Sequence, residues 1–408
     1  MSDAEERLAH GLGLLAAGDD AGGVAELEAL LPELEGRRRI EALIGIGRSA
    51  MWSERTDDAL RAAEEALALA DEESDIEMRA PALALLSQVL GQRGREGDLG
   101  SALELGDRAL QVWVAGTRSE DLMQHESLHG LANYWLGRYE TAVDLSRRGQ
   151  DGATECLALA ALGLTEASLE TADQAVAEAR EADSSMLTAY ALCCSTAALR
   201  DVRDLAEARR RNAEALELYR TIGFESGAMQ AEIDLLAADL EDDPASAERA
   251  WPALWARLGE ASGWERWLAP GRLSVLRAEL AVRRERWQDA LEAALEAIEV
   301  AHRIGRAKVQ VSARIVLGEA QLALGRPFDA LAELGAAAEA ADALAHPPTR
   351  WRAYADLSRA AAAAGDDLGA ATASAQAATV AKKYVAALTP EHADRLVATP
   401  ALAAILAT

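Results

Sequence analysis

The residues whose types and spacing most directly suggest chemistry lie in one short stretch, "QHESLHG", from Gln124 to Gly130. His125 and His129 stand four apart, which on a helix puts both imidazoles on one face, and Glu126 follows the first. With this spacing two imidazoles hold Zn²⁺ while the carboxylate between them polarises a metal-bound water. The chemistry would be zinc-dependent hydrolysis. A third ligand has to come from elsewhere. Glu155, 26 residues past His129, is the better candidate and Glu166 a poorer one.

No second catalytic constellation supports that reading. The chain has no GxxxxGK[ST] and no GxSxG, and "GIGRSA" (45–50) resembles a dinucleotide loop without the strand that must precede one. Cys156, Cys193 and Cys194 are too few for a disulfide framework and fall at positions that suit packing. No cofactor is expected. The question becomes which elements carry the two histidines.

Composition points to helices throughout. Half of the 408 residues are apolar but only 4% are aromatic, and Ala, Leu, Glu and Arg dominate, the residues that lose least on entering a helix. Several of the ten prolines, Pro244, Pro327, Pro347, Pro348, Pro390 and Pro400, fall where helices would start or stop. No run of alternating β-branched residues predicts a strand. The net charge of −27 argues against nucleic acid or an anionic membrane as the main partner, since phosphate binding needs a basic surface. The acidic start "MSDAEERLAH", with no signal-like segment and no long apolar run, predicts a cytoplasmic protein.

Internal repetition sets the fold. "LGRYETAV", "LGRPFDAL", "AGDDLGAA", "EGDLGSAL" and "RERWQDAL" share a turn residue followed five positions later by a small one. The small residue falls at Gly23, Ala59, Ala102, Ala142, Ser168, Ala206, Ala247, Ala290, Ala330 and Ala370. Twelve residues earlier, and again seven residues later, eight of the ten positions are small. Paired antiparallel helices need such gaps, because their backbones approach closely only where side chains are short. The 26-residue step from Ala142 to Ser168 predicts a shortened first helix, roughly 152–162.

With those residues in place, "RIVLGEAQLALGRPFDALAELGAAAEA" (314–340) resembles a tetratricopeptide repeat (TPR), carrying Leu317, Gly318, Ala320, Gly325, Ala330 and Ala337 at that family's signature spacings. "HGLANYWLGRYETAVDLSRRG" matches nearly as well, and the longer units resemble the TPR arms of large bacterial ATPase-type and cyclase-linked transcriptional regulators, without their catalytic or DNA-binding parts. The resemblance implies an all-α solenoid, a right-handed superhelix of about ten hairpins over residues 1–388, with a C-terminal capping segment at 389–408. It also implies a non-catalytic scaffold whose first helices line a concave face that holds a partner protein or peptide, in regulation or complex assembly. Inward positions lie 7, 8, 11, 15 and 18 residues before each small residue. The groove candidates there are Arg48, Met51, Trp52, Tyr134, Trp135, Arg272, Arg283, Arg352 and Arg359. The paired Lys/Asn pattern of repeats that clamp chaperone C-termini is absent.

Two alternatives stay open at this point: zinc hydrolysis by His125, His129 and Glu126, with Glu155 as third ligand, and a ligand-sensing solenoid that changes curvature. In the repeat alignment His129 and Glu155 fall at inward slots of adjacent first helices, so they are expected to form a buried polar pair.

Overall fold

The computed structural model describes residues 3–113, 119–261 and 263–407. Among these the chain is helical throughout, with no strand, and the expected all-α repeat architecture holds. Ten hairpins and two short final helices divide into two compact units, 1–132 and 133–408.

The first unit contains α1 (Asp3–Ala16), α2 (Asp20–Leu30), α3 (Gly36–Trp52), α4 (Thr56–Glu72), α5 (Ile76–Arg93), α6 (Asp98–Val112) and most of α7 (Glu120–Trp135), which runs across the division. The second contains α8 (Tyr139–Gly149), α9 (Gly152–Ala161), α10 (Thr165–Glu181), α11 (Ser185–Asp201), α12 (Leu205–Ile222), α13 (Glu225–Asp242) and α14 (Pro244–Ala256). It continues through α15 (Glu265–Arg283), α16 (Trp287–Ile304), α17 (Ala307–Ala323), α18 (Pro327–Leu344), α19 (Pro347–Ala363), α20 (Asp367–Val385), α21 (Pro390–Val397) and α22 (Pro400–Leu406). The ten-residue α9 is the shortened helix that the 26-residue step predicts.

Local chemistry sets the helix boundaries. Asp19, Asp75, Asp151, Ser184, Asp204, Asp243 and Asp366 each accept a first-turn backbone N–H, a cap that contributes about 1 kcal/mol. Within most hairpins the turn is made by one residue in the left-handed conformation, Gly18, Glu54, Gly137, Gly163, Arg203, Glu285, Gly325 or Gly365, and between α5 and α6 by two, Gly94 and Gly97.

The small residues meet as their spacing requires. Ser168 Oγ donates to the Cys156 carbonyl at 2.7 Å, and Ser358 Oγ donates to the Ala370 carbonyl at 2.8 Å. Both bonds join a small residue to the position twelve before it. One register is corrected. Ala206 is exposed, whereas Ala208 is wholly buried and follows the left-handed Arg203 by five. The sixth small residue is therefore Ala208, which turns the 38- and 41-residue steps into 40 and 39.

The second unit folds back on itself along an edge. Tyr139, at the start of α8, lies in one apolar cluster with Val311, Ile315, Ala337, Ala341 and Leu344 of α17 and α18. The Gly137 turn sits so close to Leu344 that a Cβ there would lie 2.7 Å from its Cδ2, and at Gly163 a Cβ would collide with Pro347. Polar contacts continue the seam. Thr165 Oγ1 and Tyr384 OH share a hydrogen bond of 2.7 Å, Asp201 receives His346 Nε2 at 3.1 Å, and Glu166 accepts the Thr389 N–H and pairs with His392, both at 2.8 Å. Arg395 completes it at 2.8 Å from Asp204. Leu396 and Leu402, from α21 and α22, are buried with Ala381 and Tyr384 of α20.

Candidate functional site

The HExxH pair comes first because its chemistry is the most specific. His125 and His129 do lie on one face of α7, with rings stacked at 5.3 Å and 12°. Both are buried, and α6 occupies them. His125 Nε2 lies 3.1 Å from the Gly106 carbonyl, which can only accept, so that nitrogen carries the hydrogen. His129 Nε2 lies 2.9 Å from Asp107 Oδ1. Gly106 makes the room: a Cβ there would collide with the His129 ring. Burial first, and then the neighbouring His129, pushes the His125 pKa down to about 3, so it is neutral near pH 7.

This arrangement does not fit a catalytic zinc centre. Both Nε2 atoms are committed to α6, and no three His, Cys, Asp or Glu side chains converge on a metal position among the described residues. The expected third ligand is engaged elsewhere, since Glu155 receives Arg147 at 2.7 Å, and Glu166 belongs to the seam of the second unit. The expectation of a His129–Glu155 pair is likewise corrected: His129 takes Asp107, one helix earlier in the chain. The cysteines are packing residues, buried and free, with thiols that burial pushes well above their ordinary range.

The groove candidates have mixed fates. Met51 is corrected outright. It is fully buried in the core of the first unit with Ala59, Leu85 and Val89, because α3 and α5 pack closely enough to enclose that position. Trp52 remains 42% exposed, and Arg48 donates to Asp121 at 2.6 Å. In the second unit Tyr134 packs 5.7 Å from Tyr139, and Trp135 meets Trp267 edge-on at 5.1 Å and Trp264 at 6.4 Å.

The four arginines of the second unit form a ladder across its first helices. Arg272 (α15) binds Asp234 (α13), and Arg283 (α15) donates to Glu241 (α13) at 3.1 Å, a carboxylate that Arg203 also holds. Arg352 (α19) donates to Glu279 (α15) at 2.8 Å and to Glu319 (α17) at 3.4 Å. Arg359 (α19) reaches Glu319 at 3.3 Å and Asp356 at 2.6 Å. Burial first, and then Glu319, raises the Asp356 carboxyl to about 6. Repeat spacing places these arginines, but it does not show that carboxylates two to four helices away already hold them.

Two further cations escaped the sequence reading. Arg306, the N-cap residue of α17, has Nε and Nη1 sealed from solvent without a hydrogen-bond partner, and burial lowers its pKa to about 10. Lys308, in the first turn of α17, is likewise held down by burial. Arg306 just before α17 and Lys308 at its start fall outside the inward slots by which candidates were chosen.

No family model matches the sequence, and no curated protein does. Similarity appears among solved structures. A crystal structure of a Rap protein complexed with competence and sporulation factor is similar over 86% of this chain and 99% of that one, with a TM-score of 0.62 at 14% identity. That of the Cut9-Hcn1 hetero-tetramer of the APC/C is similar over 99% of this chain and 83% of that one, with a TM-score of 0.55 at 13% identity. The fold is that of TPR-like helical repeat proteins.

Proposed function

We propose that this TPR-like chain is a non-catalytic scaffold that holds a partner protein or peptide on the inner face of its first helices, in regulation or complex assembly. The observation that carries this reading is the ladder of Arg272, Arg283, Arg352 and Arg359 against Asp234, Glu241, Glu279, Glu319 and Asp356, flanked by the aromatic group of Tyr134, Trp135, Trp264 and Trp267. Tryptophan, tyrosine and arginine dominate the energetics of protein interfaces, and charged groups already fixed by their neighbours lose little freedom on binding. The similar Rap structure is itself a complex with a factor, and Cut9 lies in a hetero-tetramer. The net charge of −27 disfavours nucleic acid and anionic membranes as partners, and no helix among the described residues is long and apolar enough to cross a membrane. A cytoplasmic setting and a capping role for residues 389–408 complete the reading.

Capture from native extract tests it. Wild type, Trp135→Ala, Arg359→Gln and a control at an exposed residue away from the inner face, Phe328→Ser, should all fold. Trp135→Ala and Arg359→Gln should lose partners that wild type and the control keep. Retention of every partner by both inner-face variants, or stoichiometric zinc with hydrolytic activity in the purified protein, would refute the scaffold reading.

A second reading, a ligand sensor, is favoured by the polar end of the seam. Glu166, His392, Asp204 and Arg395 are only partly buried and can exchange their partners for water at little cost, so α21 can part from that edge while the apolar contacts of Tyr139 and Leu344 stay closed. A change in radius of gyration on ligand addition, measured by small-angle scattering, would support it, and an unchanged radius would remove it.

A further inference from the structure

The last rung of the arginine ladder does not balance. Its cations are Arg352 and Arg359 of α19, and they hold Glu279 of α15, Glu319 of α17 and Asp356 of α19 itself. Three carboxylates meet two guanidiniums there. Elsewhere on the ladder the cations match or outnumber the acids, since Asp234 has Arg272 and Glu241 has both Arg203 and Arg283. The sharing is also uneven. Arg352 favours Glu279, at 2.8 Å, over Glu319, at 3.4 Å. Arg359 favours Asp356 Oδ1, at 2.6 Å, over Glu319, at 3.3 Å.

Asp356 is where the excess charge meets burial. Its side chain is only 9% exposed, and Oδ2 is sealed from solvent without a hydrogen-bond partner. Glu319 faces it from α17, and Arg352 and Arg359 from its own helix, with Glu279 of α15 beyond Arg352. The side chains that α18 and α20 bury on packing against α19 are alanines, leucines and Tyr384, so neither helix buries a charge there. An ionised carboxylate with one oxygen cut off from every donor is costly, and the like charge of Glu319 adds to the cost. A proton on Oδ2 removes both penalties. Accordingly, burial first and then Glu319 hold the carboxyl up at about 6. A partner's cation cannot reach a sealed oxygen, whereas a proton needs no room.

We propose that Asp356 is a proton switch on Arg359: ionised, it clamps the guanidinium to α19, and with a proton on Oδ2 it releases the guanidinium to an anionic group of the bound partner. The proton comes from solvent. Oδ1 then accepts from Arg359 as a neutral carbonyl oxygen, a weaker partner than a carboxylate. Arg359 is half-exposed and free to turn once that hold weakens. The proton stands on the geometry of the rung, and its effect on binding rests on the scaffold reading.

The sign of the pH effect is fixed. The folded carboxyl binds its proton more tightly than the unfolded chain does, so wild type gains stability relative to Asp356→Asn as pH falls through 6. Thermal midpoints of both full-length proteins at pH 7.5 and 5.5 test this, because every other group is common to the two. Between those values the gap should move in favour of wild type by about 2–3 °C. Made in a Glu319→Gln background, the same comparison should move less, since the repelling charge is gone. A gap that pH does not change, as a purely structural Asp356 requires, would overturn the switch. Should Asp356→Asn not fold, wild type is compared with Glu319→Gln instead; wild type should gain on acidification, and parallel profiles would overturn the switch.

A second arm reads binding to a partner recovered by capture. At pH 7.5 Asp356→Asn should retain roughly two- to fivefold more of it than wild type, an advantage that narrows at pH 5.5 and that adding Arg359→Gln abolishes. Equal retention at pH 7.5 would overturn the release of Arg359. Absence of any partner would count against the scaffold reading, while the thermal comparison still decides the proton.

Discussion

At the scale of residues, the same two histidines serve different ends depending on what lies across from them. His125 and His129 have ligand spacing, but Gly106 and Asp107 on the preceding helix take their Nε2 atoms. That spacing was legible in the sequence; the partners were not, because nothing in α7 indicates which residues of α6 face it. The burial of His125 has a pH consequence with a definite sign. Its folded pKa of about 3 lies below the ordinary 6.5, so the unfolded chain binds the proton more tightly. The stability this contributes is complete above pH 6.5 and falls as pH drops toward 3, by about 2 kcal/mol at pH 5. Denaturant titrations of wild type and His125→Gln at pH 7.5 and pH 5 should show the variant losing less on acidification. Gly106→Ala should lower stability by about 2 kcal/mol or more, because the added methyl meets a ring with no room to move.

At the scale of elements, the turn and the small residue five positions later carried most of the information. Ten hairpins were legible because close helix packing leaves a compositional trace that any alignment of the chain on itself reveals. The trace failed at one of the three left-handed turns without glycine within hairpins, Arg203, and held at Glu54 and Glu285, where Ala59 and Ala290 are buried five residues on. Arg203 adopts the left-handed conformation without glycine's freedom, and the sixth register slid by two residues, to exposed Ala206 from buried Ala208. A pair of substitutions separates the two registers. Ala208→Leu should cost about 1–3 kcal/mol through overpacking, while Ala206→Leu should stay within about 0.5 kcal/mol of wild type. Met51 failed for a related reason, since a slot expected to face inward is enclosed where α3 and α5 approach closely.

At the scale of the whole molecule, each unit has to be understood by itself, and in the second the contacts that matter are the ones periodicity cannot report. Thr165 with Tyr384 and Glu166 with His392 are 219 and 226 residues apart, and no repeat signal links them. They close the edge that a list of hairpins would leave open. Gly163 stands at that seam with a positive φ and Pro347 against its α-carbon, so Gly163→Ala should destabilise the protein by about 2 kcal/mol or more and lower its thermal midpoint. The arginines on the first helices were legible from repeat spacing, but the carboxylates that hold them lie on other helices of the second unit, whose partners local sequence does not set.

Amide hydrogen exchange on the full chain, with and without a partner recovered by capture, tests the central claim most directly. Partner binding is predicted to slow exchange in α13, α15, α17 and α19, while the outer helices α16, α18 and α20 exchange as before. Protection confined to those outer helices, or centred on His125 and His129 in α7, would contradict the claim.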